Sequence, residues 1–177
     1  THLPYLRPIW RKNTEEERLL GVSLTGIMDN ELTSRPSENL LEKLRSVAVQ
    51  TNSETSEQLG INSSASITCV KPSGTVSQLV DSASGIHARH SDYYIRTVRG
   101  DNKDPLSKFL ADAGVPAEAC VMKPDSTTVF SFPVKAPNGA VTRNDMTAIE
   151  QLELWKTYAL DWCEHKPSVT ITVRDEE

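Results

Sequence analysis

The chain has 177 residues, of which 37% are apolar, with a formal charge of -5 and a mean hydropathy of -0.41, a size that suits one domain or one piece of a larger one. No apolar run approaches the roughly 18 residues of a membrane span and the start lacks a signal-peptide layout, so a cytoplasmic protein without a membrane partner is expected. The acidic balance repels a nucleic-acid duplex unless a local basic patch overrides it, and three widely spaced cysteines with no CxxC argue against both a disulfide framework and a zinc site.

In chain order, the first helix is expected after Thr14, a plausible cap followed by Glu15, Glu16 and Glu17, with Leu20, Leu24, Ile27 and Met28 on one face. Gly21 and Gly26 fall inside that pattern, where each costs about 1 kcal/mol, and suggest close approach to another backbone. A second helix starts at Pro36-Ser37, with a buried stripe of Leu40, Leu44, Val47 and Ala48, and runs toward Gly60. Residues 1–60 thus read as mainly helical.

From residue 61 to 177 strand and helix patterns alternate. "SITCV" (Ser66 to Val70) is a strand, "GTVSQLV" a short helix and "YYIRTVR" (Tyr93 to Arg99) a strand. Asp104-Pro105 opens a helix with Leu106, Phe109 and Leu110 inward, closed by Gly114. "TTVFSFPV" (Thr127 to Val134) is a strand and "PNG" a turn. Asp145 opens a long helix buried through Ile149, Leu152, Trp155, Ala159 and Trp162, and "SVTITV" (Ser168 to Val173) ends as a strand. This alternation predicts an α/β fold with parallel pairing, in which sites gather in the turns from strand ends into helices.

"KPSGT" sits in that kind of turn. If Val70 ends a strand and Thr75 enters a helix, Ser73, Gly74, Thr75 and Val76 offer backbone N-H groups at a helix start, and the hydroxyls of Ser73, Thr75 and Ser77 add donors. The residues alone leave two readings open: a phosphate site, or a serine that merely caps a helix. No GxxxxGK[ST] occurs, which removes the main support for a kinase or ATPase.

The whole run "TCVKPSGTVSQLVDSASGIHARHSDYYIRTVR" closely resembles the substrate-phosphate loop and following strand of class II, adenosylcobalamin-dependent ribonucleotide reductases, most nearly the ribonucleoside-triphosphate type. "RLLGVSLTGIMDN" (Arg18 to Asn30) and "HKPSVTITVRDEE" (His165 to Glu177) resemble family segments in the expected order on either side. The resemblance implies the later part of a single ten-stranded α/β barrel, with substrate phosphates on Ser73, Gly74, Thr75, Val76 and, less directly, Ser77. It implies an oxidoreductase that uses adenosylcobalamin to form a cysteine thiyl radical, removes the ribose 3' hydrogen and takes electrons from a dithiol such as thioredoxin. A deoxynucleotide effector and a monomeric or homodimeric state come with it. The family's "NPCxE" radical loop does not occur between Thr1 and Glu177. It is expected upstream of this piece, so that the chain alone holds no catalytic residue and is inactive. The rivals are a non-catalytic nucleotide-phosphate module and a reductase of another class acting on diphosphates.

Other residues are weighed against plainer roles. Cys69, Cys120 and Cys163 read as small buried hydrophobes. His87 and His90 have a helical metal spacing but no helix to carry it. Arg89, His90, Arg96 and Arg99 form either a basic cluster beside a polyphosphate or a solvated strand face. Tyr93 and Tyr94 are either core or nucleotide contacts, and Trp155 and Trp162 are packing.

Overall fold

A computed structural model describes residues 4–174, apart from the side chain of Thr75. They fall into two compact units. One runs to Arg89 and resumes at Gly139; the other is His90–Asn138.

The first unit begins with helix α1, Pro8–Glu17. This reverses the expectation that a helix starts after Thr14. Pro8 occupies the opening position, where a missing N-H costs nothing. Thr14 lies in the last turns with its hydroxyl donating to the Trp10 carbonyl, and Arg18 ends the helix in the left-handed region. The next residues do not stay helical because their backbone finds partners elsewhere: Leu20, Val22 and Leu24 donate to the carbonyls of Ser66, Ile67 and Cys69. Strand β1, Val22–Ser23, therefore pairs in parallel with β2, Thr68–Cys69. Ile27 and Met28 are buried as expected, but in a single 3-10 turn, Ile27–Asp29, that follows a left-handed Gly26.

A short helix α2, Glu31–Ser34, leads to α3, Leu40–Leu59, which ends on left-handed Gly60 as expected. Its buried residues are Leu41 and Ser56, while Leu44 and Val47 of the expected stripe are exposed. The 100° advance per residue makes a one-position error in the stripe a large rotation of the face. Beyond β2 comes α4, Gly74–Leu79. The last helix, α6, Ala148–Asp161, starts at Thr147 rather than Asp145, with a reciprocal capping box between Thr147 and Glu150. Its inner face is Gln151, Leu154 and Tyr158, continued by Trp162; Ile149 and Leu152 are exposed. Leu154, Tyr158, Trp162 and Cys163 close on Ile27, Met28, Leu41, Val70 and Ile86, which is the core of this unit.

The end of α6 also braces β2. The Trp162 indole donates to the Cys69 carbonyl at 2.8 Å, and the Glu164 carboxylate accepts from the Ile67 and Thr68 N-H groups. The expected closing strand over Ser168–Val173 does not form among the described residues; the segment has no ladder partner and is held by Gln151 donating to the Thr170 carbonyl at 3.0 Å. Alternation marks a half-buried extended chain, and a strand needs a neighbour as well.

The second unit is a three-stranded sheet in the order β3-β5-β4, from Tyr93–Asp101, Thr127–Lys135 and Ala117–Ala119, with α5, Pro105–Asp112, between β3 and β4. Both pairings are antiparallel, so among the described residues the expectation of parallel pairing holds for the two-residue ladder β1-β2 and the single bridge Arg89–Thr142 of the first unit. The helix α5 lies between strands that both flank β5, and the turn after β4 returns the chain directly onto β5. Asp104 caps α5 through the Leu106 N-H and Pro105 opens it, as the sequence indicates. Leu106 and Phe109, expected inward, are exposed.

Candidate phosphate-binding site

The chain leaves β2 through buried Val70, and the Lys71 N-H donates to the Ser23 hydroxyl at 3.1 Å. Ser73 then adopts right-handed helical angles (φ -90°, ψ -14°) and Gly74 a φ of +42°. A right-handed residue followed by a left-handed one turns successive N-H groups to the same side, a concavity that accepts anions. Gly74 is needed for its positive φ; a Cβ there would meet no protein atom within 4 Å.

The Ser73 and Gly74 N-H groups converge on one oxygen. Both donate to the Ser84 hydroxyl at 3.0 Å, and with Val76 three of the four N-H groups expected to be open have a partner within the chain. The Val76 N-H donates to the Ser73 carbonyl at 2.8 Å. Ser73 makes no side-chain cap to α4; its hydroxyl instead pairs with that of Thr25 at 2.7 Å. The simple capping role is therefore not what this serine performs. Ser77 is buried and donates to the Gly74 carbonyl at 2.8 Å, closing the turn from inside, and Val76 is exposed. The expected donor role of the Thr75 hydroxyl lies outside the described residues.

The loop is held from behind by a buried cation. Arg89, only 3% exposed, meets the Asp29 carboxylate through Nε and Nη2, both at 2.9 Å, and reaches Asp81 through its carbonyl at 2.7 Å and its carboxylate at 3.2 Å. Asp29 also accepts from the Ala83 N-H at 2.7 Å. Thr25 donates to the Ala83 carbonyl at 3.1 Å and accepts from the Gly85 N-H at 2.9 Å. A planar guanidinium with fixed donors suits this bidentate task.

That placement corrects the basic cluster. Arg89 is spent on Asp29 and Asp81, while Arg96 and Arg99 are an odd number of residues apart on β3 and point to opposite faces of it. Tyr93 is exposed, with the Lys135 ammonium 5.8 Å from its ring centre; Tyr94 is half-buried and stacks at a tilt on His90. The His87 Nδ1 faces the Ser84 carbonyl at 2.9 Å. No group of three or more metal-ligating side chains occurs among the described residues.

All three cysteines are free and buried. Burial pushes the Cys163 thiol up to about 11, whereas the N-H groups of Met122 and Lys123 hold Cys120 below the usual thiol value. Trp155 and Trp162 serve packing, their indoles donating to the carbonyls of Pro167 and Cys69. Sequence reasoning missed Thr25, Asp29 and Ser84 as parts of this site, because nothing local signals contacts between segments up to 60 residues apart.

No family model matches the sequence. An adenosylcobalamin-dependent ribonucleoside-triphosphate reductase of Euglena gracilis is 36% identical over 173 residues, covering 94% of this chain and 24% of the relative. The enzyme of the same name from Lactobacillus leichmannii is 28% identical across the whole chain and 28% of its own length. A crystal structure of a B12-dependent, class II ribonucleotide reductase superposes with a TM-score of 0.79 at 26% identity, covering 96% of this chain and 28% of that one. The chain is homologous to a segment of the class II ribonucleotide reductases. This reductase segment spans about a quarter of the length of the curated relatives it matches, and its α/β fold is shared with the solved class II structure.

Proposed function

We propose that this reductase segment supplies the substrate-phosphate loop of an adenosylcobalamin-dependent ribonucleoside-triphosphate reductase. The observation that carries the reading is the right-handed to left-handed step at Ser73-Gly74, whose two N-H groups converge on a single oxygen position. Kinship with reductases named for a triphosphate substrate supports it.

In this reading the terminal phosphates of a ribonucleoside triphosphate rest on the backbone from Ser73 to Thr75, with the Ser73 hydroxyl as a further donor, while the Val76 N-H stays with the Ser73 carbonyl. Ser77 keeps the turn closed. Backbone donors at fixed positions cost little reorganisation when the anion arrives, so they orient the ribose toward a reaction centre carried elsewhere in the full-length protein.

When bound, adenosylcobalamin supplies the radical that starts the reduction. No described residue is assigned to the corrin or its cobalt. Among the described residues the three thiols are buried, the His87 ring is engaged with a carbonyl and His90 is stacked on Tyr94. A dithiol reductant such as thioredoxin, a deoxynucleotide effector and cytoplasmic placement belong to the same proposal for the whole protein.

The test is turnover by the full-length protein with adenosylcobalamin, a dithiol and ribonucleoside triphosphates. Deoxynucleoside triphosphate is the expected product. Product from diphosphates alone would favour the other reductase classes. Micromolar triphosphate binding by the 177-residue chain, with no turnover by the full-length protein, would establish a binding module instead.

A further inference from the structure

We propose that Ser84 is a further substrate-phosphate residue, its hydroxyl keeping the Ser73 and Gly74 N-H groups converged on one point and donating to a phosphoryl oxygen when substrate binds. The proposal rests on the phosphate-loop reading above and extends it to a residue beyond α4.

The argument starts from what a hydroxyl can do. It accepts and donates, whereas a backbone N-H only donates. The Ser84 Oγ accepts from both N-H groups at 3.0 Å, and so occupies the point at which those donors aim. A phosphoryl oxygen forms charge-assisted bonds roughly twice as strong as neutral ones, and therefore takes over the two N-H groups. The hydroxyl then stands at the edge of the anion with its proton free to turn toward it. An alanine can neither gather the N-H groups nor donate, and a carboxylate would repel the phosphate.

Ser84 is also held in place. Gly85 has a φ of +55°, and a Cβ there would lie 3.1 Å from the Lys71 carbonyl, so the turn sits against the start of the phosphate loop. On its other side Ala83 is bonded to Asp29, which Arg89 grips from its buried position. Thr25 ties the two segments together, accepting from the Gly85 N-H and pairing with the Ser73 hydroxyl. The hydroxyl is thus positioned by three segments that are distant in sequence.

The test uses the full-length protein, a ribonucleoside triphosphate as substrate and inorganic tripolyphosphate as competing probe. Ser84→Ala is expected to raise the substrate KM and the tripolyphosphate inhibition constant roughly tenfold, the loss of one hydrogen bond to a charged group, with the effect on KM rather than kcat. Ser84→Thr, which keeps the hydroxyl, restores both, and the thermal midpoint of Ser84→Ala stays at the parent value. Should the alanine variant be unstable, Ser84→Cys keeps the volume with a weaker donor and gives the same KM rise. A KM that is unchanged or lower in Ser84→Ala, while Gly74→Val raises it, overturns the role of Ser84 and leaves the phosphate loop standing. If neither substitution moves KM, the phosphate reading itself fails.

Discussion

The loop region of the first unit and the sheet of the second are built by opposite means. In Tyr93–Asp101 and Thr127–Lys135 the residues that pair follow one regular antiparallel register, nine pairs long. Around Ser73, by contrast, geometry is set by single polar contacts across large sequence gaps: Thr25 to Ser73, Arg89 to Asp29 and Ser84 to Gly74. A ladder spreads its stability over many equivalent bonds, whereas a polar cluster concentrates it in a few groups that are costly to leave unpaired.

The contrast is broken most directly at Arg89. Arg89→Ala leaves Asp29 without its buried partner and should destabilise the first unit by about 3–5 kcal/mol, measured by urea unfolding, while Arg99→Ala on the exposed face of β3 should change little. Equal effects would dissolve the distinction. In the sheet, the vulnerable point is steric rather than polar. A Cβ on Gly100 would run into the Ser107 hydroxyl and press on Phe130, so Gly100→Ala should cost about 1–3 kcal/mol by overpacking. Adding Ser107→Ala should recover most of it.

These two sites also show what was legible. The strands expected over Tyr93–Arg99 and Thr127–Val134, α5 with its Asp104-Pro105 start, and the end of α3 at Gly60 follow from local chemistry and appear where expected, whereas the strand expected over Ser168–Val173 does not form among the described residues. The helix placed after Thr14 did not form, because the backbone of Leu20 to Leu24 pairs with Ser66 to Cys69, a non-local gain that outweighs an amphipathic pattern containing two glycines. At the candidate site, the loop from Ser73 to Ser77 was visible as a motif. Ser84 was not, since a serine in "SASG" has the same local appearance whether or not two N-H groups point at it. Arg89 was misread because charge along a sequence says nothing about which carboxylate lies across the fold.

Smaller effects sharpen the same comparison. Thr147→Ala removes the capping box of α6 and should cost about 1 kcal/mol, read from thermal unfolding. Glu164 gives a pH signature for the bracing of β2. Burial pushes its carboxyl up, but the Ile67 and Thr68 N-H groups and Arg45 outweigh that and hold it below its usual 4.5. The folded value is depressed, so the stabilisation is fully present above the usual value and is lost as pH falls through the folded one. Glu164→Gln should flatten that acid limb, while the same change at exposed Glu118 of β4 should leave it in place.

The central claim is that the backbone at Ser73-Gly74 holds substrate phosphate, and Gly74 tests it at the atom concerned. Valine at a φ of +42° is strained by about 1–2 kcal/mol, and relief of that strain turns the N-H groups away from their common point. In the full-length protein, steady-state kinetics of Gly74→Val with a ribonucleoside triphosphate should show a KM raised at least tenfold, with a smaller change in kcat. A KM equal to that of the parent would contradict the account.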